Sequence, residues 1–88
     1  MQKQTEKINY IVTAVKPEDN YMLLVDFVDG TKKRFDMKPI IAKGGVFNRL
    51  EDNEKFMTAH VDRDTVVWDD VLDIAPESLY EKGELVLK

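Results

Sequence analysis

Aspartates are concentrated just after the single tryptophan of the chain and could contact a cation or a partner. Asp69 and Asp70 follow Trp68 directly, and Asp73 lies close behind them. Carboxylate oxygens are the ligands that Mg²⁺ and Ca²⁺ prefer, but the spacing matches no metal-loop pattern. Aspartate is also common in turns and ahead of helices. We therefore predict no metal site and no cofactor, and treat the three aspartates as candidate contacts for a partner.

The single histidine and the single serine are the side chains that acid–base or nucleophilic catalysis would use. The sequence pattern places His60 on a strand and Ser78 inside a helix. Catalysis by such groups needs a nucleophile and a base within hydrogen-bond reach. Gly44 and Gly45 match neither phosphate-binding pattern and are typical of a helix end. We predict no catalytic residue and a non-enzymatic protein.

A basic strand offers a second kind of chemistry. Lys32 and Arg34 lie near Tyr21 and Phe27 in the predicted sheet, and such residues can meet phosphates and stack on bases. The whole chain is acidic, with a net charge of -4 and a pI of about 4.9. Lys32 and Arg34 are candidate contacts for an anion or a nucleic acid, although long basic side chains more commonly cover the rim of a core.

Two predicted strands, residues 21–28 and 31–37, carry these basic residues. The Asp-Gly pair that ends at Gly30 is a strong hairpin signal, and Gly30 is assigned a structural role because a type I′ turn needs positive φ at its central positions. A two-residue turn would pair Asp26 with Lys33. It would place Lys32 and Arg34 on the same face as Phe27.

A second hairpin and a final helix follow. Residues 58–62 and 65–68 alternate as a hairpin whose apolar face holds Trp68, which we predict to be a core residue. Pro76 begins the last helix, since proline is favoured in the first helical turn. Tyr80 lies within that helix and is assigned a structural role.

Shorter segments complete the predicted architecture. We expect a first strand over residues 8–15, a short helix over residues 39–43 and an N-cap at Asp52. Ile74 and Leu79 have the spacing of a hydrophobic staple around the start of the last helix. Val46, Phe47 and Leu50 are expected to anchor a loop to the core.

The composition describes one small globular domain, residues 1–88. Residues 1–7 could be a less ordered lead-in, and residues 84–88 could either add an edge strand or be less ordered. We predict an α+β fold with a mainly antiparallel, curved sheet of about five strands and short helices. Cysteine is absent, which excludes a disulfide framework and suits the cytoplasm. No segment is apolar for long enough to cross a membrane, and no signal-type stretch follows the N-terminus.

Charge is unevenly distributed along the chain. Residues 1–50 hold nine Lys and Arg against six Asp and Glu, whereas residues 51–88 hold four against eleven. The acidic half could meet a basic partner surface and the basic half an anion. Both could equally be solvated faces that keep a small domain soluble.

An ordered set of short motifs along the chain resembles the small bacterial family filed as domain of unknown function 2442. These motifs extend from about Ile8 to Gly83, and no single one is specific, but the combination is. The pieces are Val15-Lys16-Pro17, Tyr21-x-Leu23-x-Val25-x-Phe27-x-Asp29-Gly30, Phe35-Asp36-x-x-Pro39, Gly45-Val46-Phe47-x-x-Leu50, Phe56, Val61-Asp62, Thr65-Val66-Val67-Trp68 and Asp73-Ile74-Ala75-Pro76-Glu77-x-Leu79-Tyr80-Glu81.

The resemblance implies a compact α+β domain with no assigned activity, cofactor or catalytic residue. Some members precede a helix-turn-helix domain, and others are single small proteins that are sometimes encoded beside another small protein. This chain ends soon after Gly83, so we expect no such DNA-binding domain in cis. Many relatives carry a Pro-Asn-Gly or Pro-Asp-Gly turn after the tryptophan, where this chain has Asp69-Asp70-Val71.

The leading hypothesis is therefore a module that binds another protein, in a regulatory or toxin–antitoxin-like pair, or that forms a homo-oligomer such as a homodimer. The first alternative is a nucleic-acid-associated accessory protein that uses Lys32 and Arg34. The second is a small-ligand or metal-binding domain that uses the aspartate-rich turn or His60.

Overall fold

The computed structural model describes residues 10–69 and 72–86. Its strands are β1 (Val12–Glu18), β2 (Met22–Phe27), β3 (Lys32–Asp36), β4 (His60–Asp62), β5 (Thr65–Asp69), β6 (Leu72–Ile74) and β7 (Glu84–Leu85). Its α-helices are α1 (Lys38–Ala42), α2 (Asn53–Phe56) and α3 (Pro76–Lys82), and short 3-10 helices lie at Asp19–Tyr21 and Gly45–Glu51.

The strands form two antiparallel sheets, which confirms the α+β class but differs from the single sheet of about five strands that we predicted. The first sheet has the order β1-β2-β3-β7 and the second the order β4-β5-β6. The chain between β3 and β4 is helical, so the second hairpin does not continue the ladder of the first. The sheets meet where the backbone N–H of Val12 donates to the carbonyl of Asp64 over 3.0 Å.

The first hairpin turns in a different way from the predicted type I′ turn. Gly30 has a φ of 89°, but Asp29 does not have positive φ. The N–H of Gly30 donates to the carbonyl of Phe27 over 3.0 Å, and the N–H of Phe27 donates to the carbonyl of Thr31 over 2.9 Å. The loop is therefore three residues long, with a glycine bulge at its end.

This longer loop shifts the strand register by one residue. Asp26 pairs with Lys32, where the two-residue turn predicted Lys33, and Leu23 pairs with Phe35. Since side chains alternate between faces, a shift of one residue moves every side chain of one strand to the other face. Lys32 and Arg34 thus lie on the face opposite to Phe27, and that prediction was wrong.

The second hairpin matches its prediction. Arg63 and Asp64 have φ values of 52° and 68°, as both central positions of a type I′ turn require. Asp62 then pairs with Thr65 and Val61 with Val66.

Strand β1 ends three residues later in the chain than predicted. It continues through Pro17 to Glu18, where the sequence pattern suggested an end before Pro17, and residues 1–9 lie outside the described part. A proline is tolerated here because β1 is an edge strand of its sheet, with β2 on one side. At the other edge, β7 pairs with β3, and the N–H of Val86 donates to the carbonyl of Lys32 over 2.9 Å. Residues 87–88 are not described.

The helices lie close to where the sequence pattern indicated, with α1 beginning and ending one residue earlier than predicted. Gly44, with a φ of 88°, follows the end of α1. The carboxylate of Asp52 accepts the N–H of Glu54 over 3.1 Å and so caps α2. Ile74 and Leu79 are both buried at the start of α3. Val46, by contrast, is 63% exposed and does not anchor its loop.

One hydrophobic core draws on both sheets and on the helices. Leu23, Val25 and Phe35 contribute from the first sheet, and Val66 and Trp68 from the second. The remaining buried members of the cluster are Val12, Phe27, Met37, Ile41, Leu50, Phe56, Leu72, Ile74 and Leu79. The two sheets therefore form one folding unit.

Candidate functional site: an acidic depression beside Trp68

The structure separates the aspartates that follow Trp68. Asp69, at the end of β5, pairs with Leu72, whereas Asp73 pairs with Val67. The register of the two strands shifts between Val67 and Asp69, so Asp69 lies opposite Leu72 and not beside Asp73. Leu72 and Asp73 are successive residues of β6 and point to opposite faces, which separates the two aspartates. Asp70 lies outside the described residues. The three aspartates are thus not shown to act as one cluster.

Asp69 lines a shallow depression between α2 and β5. The depression has a volume of about 410 Å³, and its lining residues are Asp52, Glu54, Lys55, Thr58, Trp68 and Asp69. Arg49 approaches it from the 3-10 helix, where a guanidinium N–H donates to the Asp69 carboxylate over 3.5 Å. Three carboxylates therefore border one open surface, Lys55 lies among them, and the carboxylate of Asp69 is paired with Arg49.

Hydrogen bonds between α2 and β5 hold the walls of this depression. The indole N–H of Trp68 donates to the carbonyl of Phe56 over 3.0 Å. The hydroxyl of Thr58 lies 3.2 Å from the carbonyl of Trp68 and 2.7 Å from that of Lys55. Trp68 is only 3% exposed, so its ring supports the depression more than it lines the surface.

The chemistry of the depression favours a positively charged group. Carboxylates attract ammonium and guanidinium groups, whose aliphatic stems can also cover apolar surface. Among residues 10–69 and 72–86, no group of three or more His, Cys, Asp or Glu side chains is placed to hold a metal ion. A lysine or arginine side chain has the charge that complements Asp52, Glu54 and Asp69.

Sequence analysis identified Asp69 and Trp68 in this region but missed the rest of the rim. Asp52 was assigned only as a helix cap, and Glu54, Lys55 and Thr58 were given no role. The repeated acidic residues around a capped short helix were the available signal. Their approach to β5 depends on tertiary packing.

Lys32 and Arg34 lie on the outer face of the first sheet and are both ion-paired. Lys32 Nζ lies 2.6 Å from the Asp26 carboxylate, and Arg34 Nε lies 3.0 Å from that of Glu18. The hydrogen bond from Arg34 holds the pKa of Glu18 below its ordinary value. Lys38, just after β3, also lies 3.1 Å from the carboxylate of Asp36.

The aromatic side chains expected beside those cations are elsewhere. Phe27 is buried in the core. Tyr21 packs edge-to-face on Phe56, with ring centroids 5.2 Å apart, and its hydroxyl donates to the carbonyl of Glu51. Neither Phe27 nor Tyr21 therefore offers a stacking ring beside Lys32 and Arg34.

His60 is exposed on β4, and its Nδ1 lies 3.0 Å from the carbonyl of Thr58. Its cross-strand neighbour is Val67, with Asp73 beyond it. Ser78 lies on α3 and lines a different groove. The structure does not bring His60 and Ser78 together.

In the described part of the chain, no helix is long and apolar enough to span a membrane. Taken together, the fold and surface define a small α+β domain of two antiparallel sheets with an acidic depression at one helix. The chain belongs to the family described as protein of unknown function (DUF2442), whose model matches residues 12–84. Searches of the curated proteins and of solved structures gave no significant match.

Proposed function

We propose that the protein is a small, non-enzymatic interaction module that binds another protein, in a regulatory or toxin–antitoxin-like pair, through the acidic depression. The observation that carries this proposal is the arrangement of Asp52, Glu54 and Asp69 around one open surface beside α2. Opposite charges across an interface direct the encounter and set the register of the complex.

The partner surface should be basic and partly apolar. Met57, which lies between the lining residues Lys55 and Thr58 in the chain, is 41% exposed. A methionine side chain adapts its shape and suits an apolar contact next to ion pairs. A segment with arginine or lysine beside an apolar residue would match both features.

Preorganisation supports a binding role for this surface. The Asp52 cap of α2 and the bond from Trp68 to Phe56 hold two walls of the depression before any partner arrives. A surface that is already ordered loses less conformational entropy on binding. The family resemblance, with members encoded beside another small protein, supports a small protein as the partner. The cysteine-free composition supports a cytoplasmic setting.

The test begins with purification from the native host at low salt, followed by titration of the co-purifying protein against purified variants. Glu54→Lys combined with Asp69→Lys should weaken binding at least about tenfold, because two attractions become repulsions. Asp19→Lys combined with Glu77→Lys makes the same charge change on exposed residues outside the depression and should leave the affinity nearly unchanged. Equal affinities for the two double variants would exclude the depression as the contact.

A third variant, Asp73→Lys, separates the two faces of the second sheet. Loss of binding in this variant alone would move the contact to the face that carries His60 and Asp73. Light scattering on the purified chain tests the alternative of a homodimer.

The nucleic-acid alternative receives less support because Lys32 and Arg34 are paired with carboxylates. Its test is a mobility shift at low salt with the wild type and with Lys32→Glu combined with Arg34→Glu, since phosphate contacts make binding salt-dependent. The metal alternative is tested by thermal stability across divalent ions, because a bound ion stabilises the folded state.

A further inference from the structure

A groove between α1 and α3 has chemistry opposite to that of the acidic depression. Its volume is about 360 Å³, and Phe35, Pro39 and Ile40 provide its apolar lining. Lys43, just after α1, and Lys82, at the end of α3, also line it. No residue lines both the groove and the acidic depression, so the two surfaces can be tested separately.

The two lysines of this groove belong to the half of the described basic residues that form no salt bridge. In residues 10–69 and 72–86, salt bridges are formed by Lys32, Arg34, Lys38, Arg49 and Arg63, and none by Lys43 or Lys82. The carboxylate that lines the groove, Asp36, lies 3.1 Å from Lys38 Nζ. Lys43 and Lys82, which form no salt bridge with any residue that the structure describes, thus share one groove with an apolar lining.

We propose that this groove docks an acidic, amphipathic segment of a partner protein. An apolar side chain of the segment would lie on Phe35 and Ile40, and its carboxylates would meet Lys43 and Lys82. Exposed ion pairs alone contribute little in water, so the apolar contact supplies affinity and the lysines supply selectivity for a negative segment. A free small anion would meet only screened charges at these exposed lysines.

The size of the groove fits this occupant. A volume of about 360 Å³ accommodates a few side chains of a peptide, which matches the helix-in-groove or extended modes by which small domains recognise segments. The groove lies between two short helices that both pack near β3, so its floor is the buried ring of Phe35. The proposal goes beyond the acidic depression and does not depend on it.

The experiment is a selection of random 12-residue peptides on the full chain, followed by affinity measurements on the enriched peptides. We expect enriched sequences to combine at least one large apolar residue with two or more Asp or Glu. Shifts in amide NMR signals on binding should include Ile40 and Ser78, which line the groove. Enrichment of basic peptides, or shifts confined to the acidic depression, would overturn the proposal.

Matched charge variants test the role of the lysines. Lys43→Glu combined with Lys82→Glu should weaken an enriched peptide at least about tenfold, which corresponds to about 1.4 kcal/mol. Lys16→Glu combined with Arg63→Glu changes the net charge equally at two exposed basic residues that line neither surface and should change affinity by less than about threefold. Circular dichroism of both variants is the control for folding and should match that of the wild type.

The peptide supplies the complementary control. Replacing its apolar residue with Ser, or its acidic residues with Gln, should each weaken binding. Docking at this groove is contradicted if a peptide binds both charge variants with equal affinity. It is also contradicted if replacing the acidic residues of the peptide with Gln does not lower its affinity. Glu54→Lys and Asp69→Lys leave the groove unchanged, so they should not affect the binding of these peptides. A negative result for the acidic depression therefore does not contradict docking at the groove, and a negative result for the groove does not contradict binding at the depression.

Discussion

At the scale of single residues, Trp68 connects a strand of the second sheet to a helix that precedes it. Its ring is buried in the common core, and its indole N–H donates to the carbonyl of Phe56. It also packs edge-to-face with Phe47, with ring centroids 6.2 Å apart. One side chain thus joins β5, α2 and the 3-10 helix that precedes α2.

Replacing Trp68 tests this role. Trp68→Ala should lower the free energy of unfolding by about 3–5 kcal/mol, because it leaves a large cavity and removes the hydrogen bond. Trp68→Phe keeps most of the apolar volume and should cost about 1–3 kcal/mol. Urea unfolding followed by circular dichroism measures both. A small loss in Trp68→Ala would mean that the ring is exposed in solution.

A second interaction between individual side chains links Asp29 in the first hairpin loop to Tyr80 on α3. The Tyr80 hydroxyl donates to the Asp29 carboxylate over 2.7 Å, and the N–H of Thr31 donates to it over 2.9 Å. The bond from Tyr80 is the main cause that lowers the pKa of Asp29. A carboxylate with a lowered pKa stabilises the fold above its ordinary pKa of about 4, and this contribution is lost as the pH falls through the folded-state pKa.

Acid sensitivity should therefore decrease when the Tyr80 hydroxyl is removed. The wild type should melt at a higher temperature than Tyr80→Phe at pH 6, and this difference should shrink between about pH 5 and pH 2. Asp29→Asn, which cannot titrate at this position, is the control and should show the same trend. A melting-temperature difference that stays constant over this range would contradict the assignment.

At the scale of elements, the two hairpins show how turn geometry sets the faces of a sheet. The Arg63-Asp64 turn has two left-handed residues, whereas the first loop has a single left-handed residue, Gly30. The extra loop residue pairs Lys32 with Asp26 and turns Lys33 towards α3, where its Nζ lies 5.0 Å from the centre of the Tyr80 ring. Loop length thus decides which lysines remain on the outer face.

The conformation of the first loop can be tested by substitution of Gly30, which has positive φ. A Cβ at this position would meet nothing within 4 Å, so the effect of a substitution is conformational. Gly30→Ala should lower stability by about 1–2 kcal/mol, because an L-residue is strained at this φ. Gly30→Asn should lose less, since asparagine tolerates the left-handed region. Equal losses in thermal unfolding would point to a steric cause instead.

At the scale of the whole molecule, the two sheets share one core and should not unfold separately. The buried cluster contains Leu23 and Phe35 from the first sheet, Val66 and Trp68 from the second, and Leu79 from α3. In a chain of 88 residues, neither sheet buries enough apolar surface to be stable by itself.

Unfolding should therefore be a single cooperative transition. Tryptophan fluorescence reports on Trp68 in the second sheet, and far-ultraviolet circular dichroism reports on both sheets and the helices. The two signals should follow the same curve in urea. Two separate midpoints would show that the sheets are independent units.

Charge is also organised at this scale. The outer face of the first sheet balances its cations with carboxylates, the depression near Trp68 is acidic, and the groove between α1 and α3 is basic. The unequal charges of the two halves of the sequence indicated that acidic and basic residues are separated, but they did not show on which surfaces these residues lie.

The sequence by itself determined the α+β class, the Arg63-Asp64 turn, the cap at Asp52, the start of α3 at Pro76, and the burial of Trp68. These features depend on local conformational preference or on alternation within one element, which neighbouring residues encode. Tertiary structure decided the division into two sheets, the separation of Asp69 from Asp73, and the position of Lys43 and Lys82 in one groove. Such features arise from the packing of elements distant in the chain, where one residue of loop length or one shared core position changes which side chains meet.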